Sequence, residues 1–366
     1  MSGKKDSAYR VMVVDDSAVI RGLLTRALEE DPEISVVASV ANGQMAVSSI
    51  GRSDVEVVVL DIEMPVMDGL TALPKLLEAR PGVQVVMAST LTHKNADISL
   101  RALRAGAADY VTKPTSGSAL NSAEAFKREL TEKVKVLGAA ARRRLGVPKP
   151  IGPSAPRAVP APRQIVLRRA PAIGPRALAI GSSTGGPQAL LKVLGELKGP
   201  LPMPIFITQH MPATFTALLA EHIARVSGRP AREAVDGEVA VAGTVYVAPG
   251  DRHMRVEPVA GGARLRIDQG PPENFCRPSA DPMLRSLAAV YGARLLTVIL
   301  TGMGADGLKG CQEVVAAGGG VIAQDEASSV VWGMPGAVAT NGLCHAVLPL
   351  DRIADHLKPL LARSAA

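Results

Sequence analysis

The sequence predicts two α/β domains, each a doubly wound parallel sheet, joined by a linker. Three observations lead there. Short apolar runs rich in β-branched residues alternate with helix-like stretches, both before and after a central gap. The runs are near-continuous rather than alternating in polarity, as strands buried on both faces are. In the gap lies "VPKPIGPSAPRAVPAPRQ", where dense proline removes donors and favours extended, solvated backbone.

A chain of 366 residues has room for two or three domains, each with its own core. Aromatics make up 2%, so the cores must be Val, Leu, Ile, Ala and Met. Cys276, Cys311 and Cys344 are too few and too scattered for a disulfide framework or a zinc site, which fits a reduced compartment. MSGKKDSAYR opens without a secretory pattern, and no apolar run approaches about 18 residues. A cytoplasmic protein, not inserted in a membrane, is the expectation. The net charge of +7 raises nucleic acid as a partner. Its distribution argues against that: from Lys133 to Gly195 there is no Asp or Glu, and Arg142, Arg143, Arg144, Lys149, Arg157 and Arg163 all fall inside. The basic excess is thus assigned to a solvated linker over residues 129–175.

The first domain, residues 8–128, reads strand by strand as YRVMVV, ISVVASV, VEVVVL, VQVVMA and DYVT. AVIRGLLTRALEE, QMAVSSI, LTALPKLLEAR and NADISLRALRAG fall between them as helices. Side chains at the C-terminal ends of parallel strands converge on one site. Here those positions hold Asp15 and Asp16, Asp61, Ser89 and Lys113. Three carboxylates at one place repel each other unless a hard cation such as Mg²⁺ offsets them. Carboxylate, hydroxyl and ammonium around that cation suit capture of a phosphoryl group.

On VVDDS, LDIEMPVMDG, MAST and YVTKP, in this order, the domain resembles a response-regulator receiver. The resemblance implies Asp61 as phospho-acceptor, with Asp15, Asp16 and Asp61 at the Mg²⁺ and the Glu63 carbonyl as a further ligand. Ser89 and Lys113 would contact the phosphoryl group. Tyr110 would be the aromatic switch, repacking inward on phosphorylation.

The second domain, residues 176–362, repeats the pattern with RALAI, PIFITQ, GTVYVAP, RLLTVIL and GGGVIAQ. QALLKVLGEL and ADGLKGCQEVVAAG are helices between them, and GARLRIDQG reads as an antiparallel excursion after GDRHMRV. "AIGSSTGGP" is a glycine-rich strand-to-helix turn, able either to cradle a phosphate or to hold up a nucleophilic serine. Neither G-x-x-x-x-G-K-[ST] nor G-x-G-x-x-G is present. Ser183 is centred in G-x-S-x-G, His210 ends the PIFITQ strand, and Asp306 follows RLLTVIL. All three leave the same sheet edge, as a Ser–His–Asp triad requires. The order Ser…His…Asp differs from the Ser…Asp…His of α/β-hydrolases. Of the other histidines, His93 and His222 read as surface residues and His253 as a possible cleft residue. No His/Asp/Glu spacing calls for a metal or other cofactor in this domain.

The stretches IGSSTGGP, TQHMP, APGDRHM, CRPSADPM, LTGMGADG and AQDEASSVVWGMPGAV resemble the catalytic domain of the chemotaxis protein-glutamate methylesterases. Receiver, linker and esterase in that order match the family's architecture. The resemblance implies Ser183, His210 and Asp306 as the triad, with Thr184 and the backbone at Met303 beside it. It implies demethylation of glutamyl methyl esters on chemoreceptors, releasing methanol, and deamidation of particular receptor glutamines. Its partners would be those receptors and the histidine kinase of the chemotaxis array. "NFCRPS" departs from the family in placing Cys276 where a His or another polar residue is common.

Overall fold

The computed structural model describes residues 7–90, 92–113, 120–145, 165–199 and 201–363. The chain divides into two compact units, Met1–Val159 and Pro160–Ala366.

In the first unit, β1 (Tyr9–Val14), β2 (Ile34–Val40), β3 (Val57–Asp61), β4 (Gln84–Ser89) and β5 (Asp109–Thr112) form a parallel sheet in the order β2-β1-β3-β4-β5. The helices are α1 (Ala18–Glu29), α2 (Gly43–Ser49), α3 (Gly69–Ala79), α4 (His93–Arg104) and α5 (Leu120–Leu145). α1 packs beside α5, while α2, α3 and α4 pack in series, so helices cover both faces. Strand order reverses between β1 and β3, and the crevice at such a point is where α/β sheets bind ligands. Side-chain caps set the helix starts: Ser17 Oγ accepts from Ile20 N–H for α1, and Asp68 Oδ1 accepts from Thr71 N–H at 2.7 Å for α3.

The linker expected over 129–175 is corrected at its start. Helix α5 carries Leu130, Val134, Leu137 and Ala141, each 0% exposed, a spacing that puts one apolar stripe against the sheet. Arg142 is buried on it, not solvated. Its guanidinium pairs with Glu56, donates to the Ala8 carbonyl at 2.7 Å and lies 4.3 Å from the Tyr9 ring. The arginine run was read for its charge, and the apolar period beneath it was overlooked. Residues 146–164 of the expected linker lie outside the described residues. At its far end, Arg168 N–H donates to Cys344 O in the second unit's own fold.

The second unit contributes β6 (Ala177–Ser182), β7 (Ile205–Gln209), β8 (Ala231–Glu233) and β9 (Val245–Val247). The antiparallel pair β10 (His253–Val259) and β11 (Gly262–Asp268) stands apart, as expected for the excursion. β12 (Leu295–Ile299), β13 (Gly320–Gln324) and β14 (Ala346–Leu348) complete a parallel sheet ordered β14-β13-β12-β6-β7-β9-β8. Helices α6 (Gly186–Glu196), α7 (Ala213–Ser227) and α11 (Leu350–Ala362) pack together, as do α8 (Ala280–Tyr291), α9 (Leu308–Ala316) and α10 (Met334–Thr340). β8 and β14 have three residues each and lie at the sheet edges, too short to show a pattern in the sequence. The core under α8 includes Phe206, Tyr246, Leu284, Leu287 and Val314, all 0% exposed. Burial of each such side chain stabilises by roughly 1.5–3 kcal/mol. Strand order reverses between β6 and β12, so the crevice opens where those two strands end. Among the described residues, no helix is long and apolar enough to cross a membrane.

Candidate active site and acidic pocket

Ser183 follows β6 directly, and its N–H donates to Thr301 O at 3.0 Å. Gly185, at φ 75°, turns the chain into α6, and a side chain there would strike Val330. Gly302 lies against Ser183, where an added Cβ would come within 2.9 Å of the Ser183 Cβ. The Gly302–Met303 backbone can thus run alongside the serine. His210 follows β7. The Gln209 amide donates to both Ser183 O (3.0 Å) and His210 O (3.2 Å), tying the two strand ends together.

His210 Nε2 donates to Asp306 Oδ2 at 2.7 Å. Asp306 is 2% exposed and sits at the N-terminus of α8. Its carboxylate also accepts from Asn274 Nδ2 (2.8 Å), Ser279 Oγ (2.6 Å) and the N–H groups of Ala280 (2.6 Å), Asp281 (3.2 Å) and Gly307 (3.0 Å). Burial alone would raise this carboxyl. The His210 hydrogen bond and charge, with Ser279 and Ala280, instead hold it at about 2. Burial likewise works against a charged His210, but the bond to Asp306 and the nearby Cys276 carry it to about 10. Each partner of the pair thus favours the charged form of the other. Asp306's contribution to stability is complete above 3.8 and is lost as pH falls through about 2. His210's is complete below 6.5 and is lost as pH rises through about 10.

The structure joins His210 and Asp306 by a hydrogen bond. Among the described residues, no hydrogen bond joins the Ser183 hydroxyl to His210. His210 Nδ1 instead faces Cys276 Sγ at 3.4 Å. In unliganded hydrolases such a nucleophile–base bond often closes only once substrate is bound. Asn274, Ser279 and Gln209 went unnoticed in the sequence. Their signal is their neighbours: Gln209 precedes His210, and Ser279 is the N-cap before ADPM. His253 does not line the cleft. It is 0% exposed, donates from Nε2 to Pro271 O and accepts the Ser279 N–H on Nδ1, so it braces the residue that braces Asp306. His222 is also corrected: on α7 it is buried, at 2% exposed. The side chain of His93 lies outside the described residues.

In the first unit, oxygens of Asp15, Asp16 and Asp61 lie within 4.8 Å of one another. Lys113 Nζ sits 2.6 Å from both Asp15 and Asp61. Burial, opposed by Lys113 and reinforced by the Asp15 charge, raises the Asp61 carboxyl. This repulsion is what a bound cation would relieve. Ser89, 1% exposed, accepts from Ser99 Oγ at 3.3 Å. Tyr110 is buried, 5% exposed, with Lys133 Nζ 5.1 Å from its ring centroid.

Comparison with known proteins accounts for both units. The family model described as CheB methylesterase matches residues 178–357, and that of the response regulator receiver domain matches residues 11–124. A protein-glutamate methylesterase/protein-glutamine glutaminase of Rhodospirillum centenum is 60% identical over 100% of this chain and 97% of the relative. One from Azospirillum brasilense is 60% identical over 97% of this chain and 93% of its own. The crystal structure of the Thermotoga maritima CheB methylesterase catalytic domain is 39% identical, with a TM-score of 0.49 over 52% of this chain and 99% of that chain.

Proposed function

Because this chain belongs to the family of the protein-glutamate methylesterases/protein-glutamine glutaminases, with a receiver domain ahead of the hydrolase, we propose that Ser183, His210 and Asp306 carry out its hydrolysis and Asp61 its control. The observation that carries the reading is the His210–Asp306 bond at the end of the strand next to Ser183.

Ser183 Oγ attacks the glutamyl ester or amide carbonyl, forming an acyl-enzyme. His210 takes the serine proton on Nδ1, since Nε2 is bound to Asp306, and passes it to methanol or ammonia as the leaving group. Water then attacks the acyl-enzyme, with His210 again acting as base, and glutamate is released. The N–H groups of Ser183 and Gly186 are already bonded, to Thr301 O and Ser183 O, and Pro187 has none, so the oxyanion's donors come from other backbone N–H groups, that of Met303 among them. Ester and amide give the same acyl-enzyme, so one site serves both reactions.

Asp306 favours the charged imidazole of His210, which acts as base only in its neutral form. The account therefore expects kcat/KM to rise with pH towards about 10. Cys276 is one of the influences that raise His210. Cys276→Ala should move this rising limb to lower pH and speed the reaction at neutral pH. A pH–rate profile compared between the two chains checks it, and an unmoved limb would contradict the assignment.

In the receiver, the donor set is three carboxylates, which fits Mg²⁺ held by Asp15, Asp16 and Asp61 with the Glu63 carbonyl. When bound, it would offset the charge of the cluster and of an incoming phosphoryl group. Asp61 accepts that group from the array's histidine kinase, while Lys113 and Ser89 meet its oxygens. The substrates are methylated chemoreceptors, and the working place is the cytoplasm. Methanol release from methylated receptor, with and without a small-molecule phosphodonor, tests this control. The wild-type rate should rise with the donor, and Asp61→Asn should stay at the basal rate. If the receiver acts by covering the site, a fragment beginning near Arg176 should outrun the unphosphorylated whole chain.

A further inference from the structure

The parallel ladder between β6 and β7 ends at the His210 N–H, which donates to Ser182 O at 3.2 Å. Past that bond a side chain continues the tie. Gln209 closes β7 opposite Ser182 and is 2% exposed. Its Nε2 donates to Ser183 O at 3.0 Å and to His210 O at 3.2 Å, and its Oε1 accepts from Ser182 Oγ at 2.7 Å. A primary amide has two N–H donors, and here both go to the main-chain carbonyls of the nucleophile and the base. The turn into α6 is shaped around this amide. A side chain at Gly186, the first residue of α6, would strike Gln209 Oε1 and come within 2.9 Å of Ser182 Oγ. Ser183 is also held from its other neighbours, its N–H on Thr301 O at 3.0 Å and its O on the Gly186 N–H at 2.7 Å. Two carbonyl oxygens that share one amide nitrogen lie close together. Without that nitrogen they face each other as acceptors with no donor between them, which pushes them apart.

We propose that Gln209 is a positioning residue for the hydrolysis, its amide setting the spacing at which the Ser183 hydroxyl and the His210 imidazole meet. The proposal rests on the hydrolase reading above. Proton transfer needs the Ser183 hydroxyl within hydrogen-bond reach of His210 Nδ1 once substrate is bound. The side chains close that gap by rotating, so the main chains that carry them must already stand at the right separation. Gln209 fixes that separation from below. It touches neither the hydroxyl nor the imidazole and acts through the two residues it ties. A misplacement of about 1 Å from a change outside the reacting groups costs about 10²-fold in rate.

The test uses the full-length chain and two esters: a receptor protein carrying glutamyl methyl esters, and a capped single glutamic acid γ-methyl ester. Gln209→Met keeps the length of the side chain and loses both donors. It should lower kcat about a hundredfold on both esters with KM little changed. The pH–rate profile should drop in height while its rising limb stays in place, because Asp306 and Cys276, not Gln209, face the imidazole. Ser182→Ala separates positioning from stability. It removes the bond to Gln209 Oε1 and should lower Tm, yet it spares both donated bonds, so kcat measured below that Tm should stay close to wild type. Gln209→Asn keeps an amide in the same place but is one methylene too short to span both carbonyls. It should share the loss in kcat, and it carries the test if the Met variant does not fold. Wild-type kcat in either Gln209 variant, a rise in KM alone, a displaced limb, or an equal loss of kcat in Ser182→Ala would overturn the proposal. Failure of the hydrolase reading would show separately, as small-ester turnover that survives Ser183→Ala.

Discussion

Ser183→Ala should abolish nearly all methanol release, on the order of a million-fold in kcat, the scale seen when a triad serine is removed. The fold should be untouched. Ser183 holds its place through backbone contacts, its N–H on Thr301 O and its O on the Gln209 amide, and alanine keeps both. Initial rates of methanol release, with a thermal melt to confirm folding, measure this. A variant that keeps more than about a tenth of the wild-type rate, against that expected loss, is incompatible with Ser183 as nucleophile.

Asp306→Asn should cost about 10⁴ in kcat, because the carboxylate holds the imidazole's tautomer and stabilises its charge. It should also destabilise the domain. An asparagine must present its NH₂ to a pocket built of donors, Ser279 Oγ and the N–H groups of Ala280, Asp281 and Gly307. Buried donors left unmatched cost about 1–3 kcal/mol each at most. Activity should therefore be measured below the lowered Tm. Combined with His210→Ala, the loss in barrier terms should fall far short of the sum of the two, since the residues act as a unit. Strict additivity would count against the triad.

Both parallel sheets were legible in the sequence because their strands are long apolar runs buried on both faces, such as Val57–Asp61 and Leu295–Ile299. The placing of Ser183, His210 and Asp306 at strand ends was legible for a related reason. A parallel sheet puts its strand ends on one edge, so Ser183, His210 and Asp306 could be brought to that edge from their place in the pattern alone. What the pattern could not carry was the surround. Asn274, Ser279 and Cys276 come from the chain between β11 and α8, which has no periodicity to fix its path. Their contacts with Asp306 and His210 arise only once the fold brings it back over the sheet edge. The continuation of α5 to Leu145 was hidden for a different cause. Arg142, Arg143 and Arg144 drew attention to charge, while Leu130, Val134, Leu137 and Ala141 carried the helical stripe through the same stretch. The packing of Tyr110 against Lys133 of α5 is not something its position in the sequence reveals.

The central claim is that the glutamyl group passes through an ester with Ser183, and Cys276 beside the same imidazole supplies the natural alternative. The direct measurement is mass spectrometry of enzyme acid-quenched during turnover of a glutamyl methyl ester peptide, read residue by residue after digestion. The account predicts an acyl adduct on the peptide containing Ser183 and none on that containing Cys276. An adduct on Cys276, or steady methanol release with no adduct at Ser183 under any quench time, would contradict it.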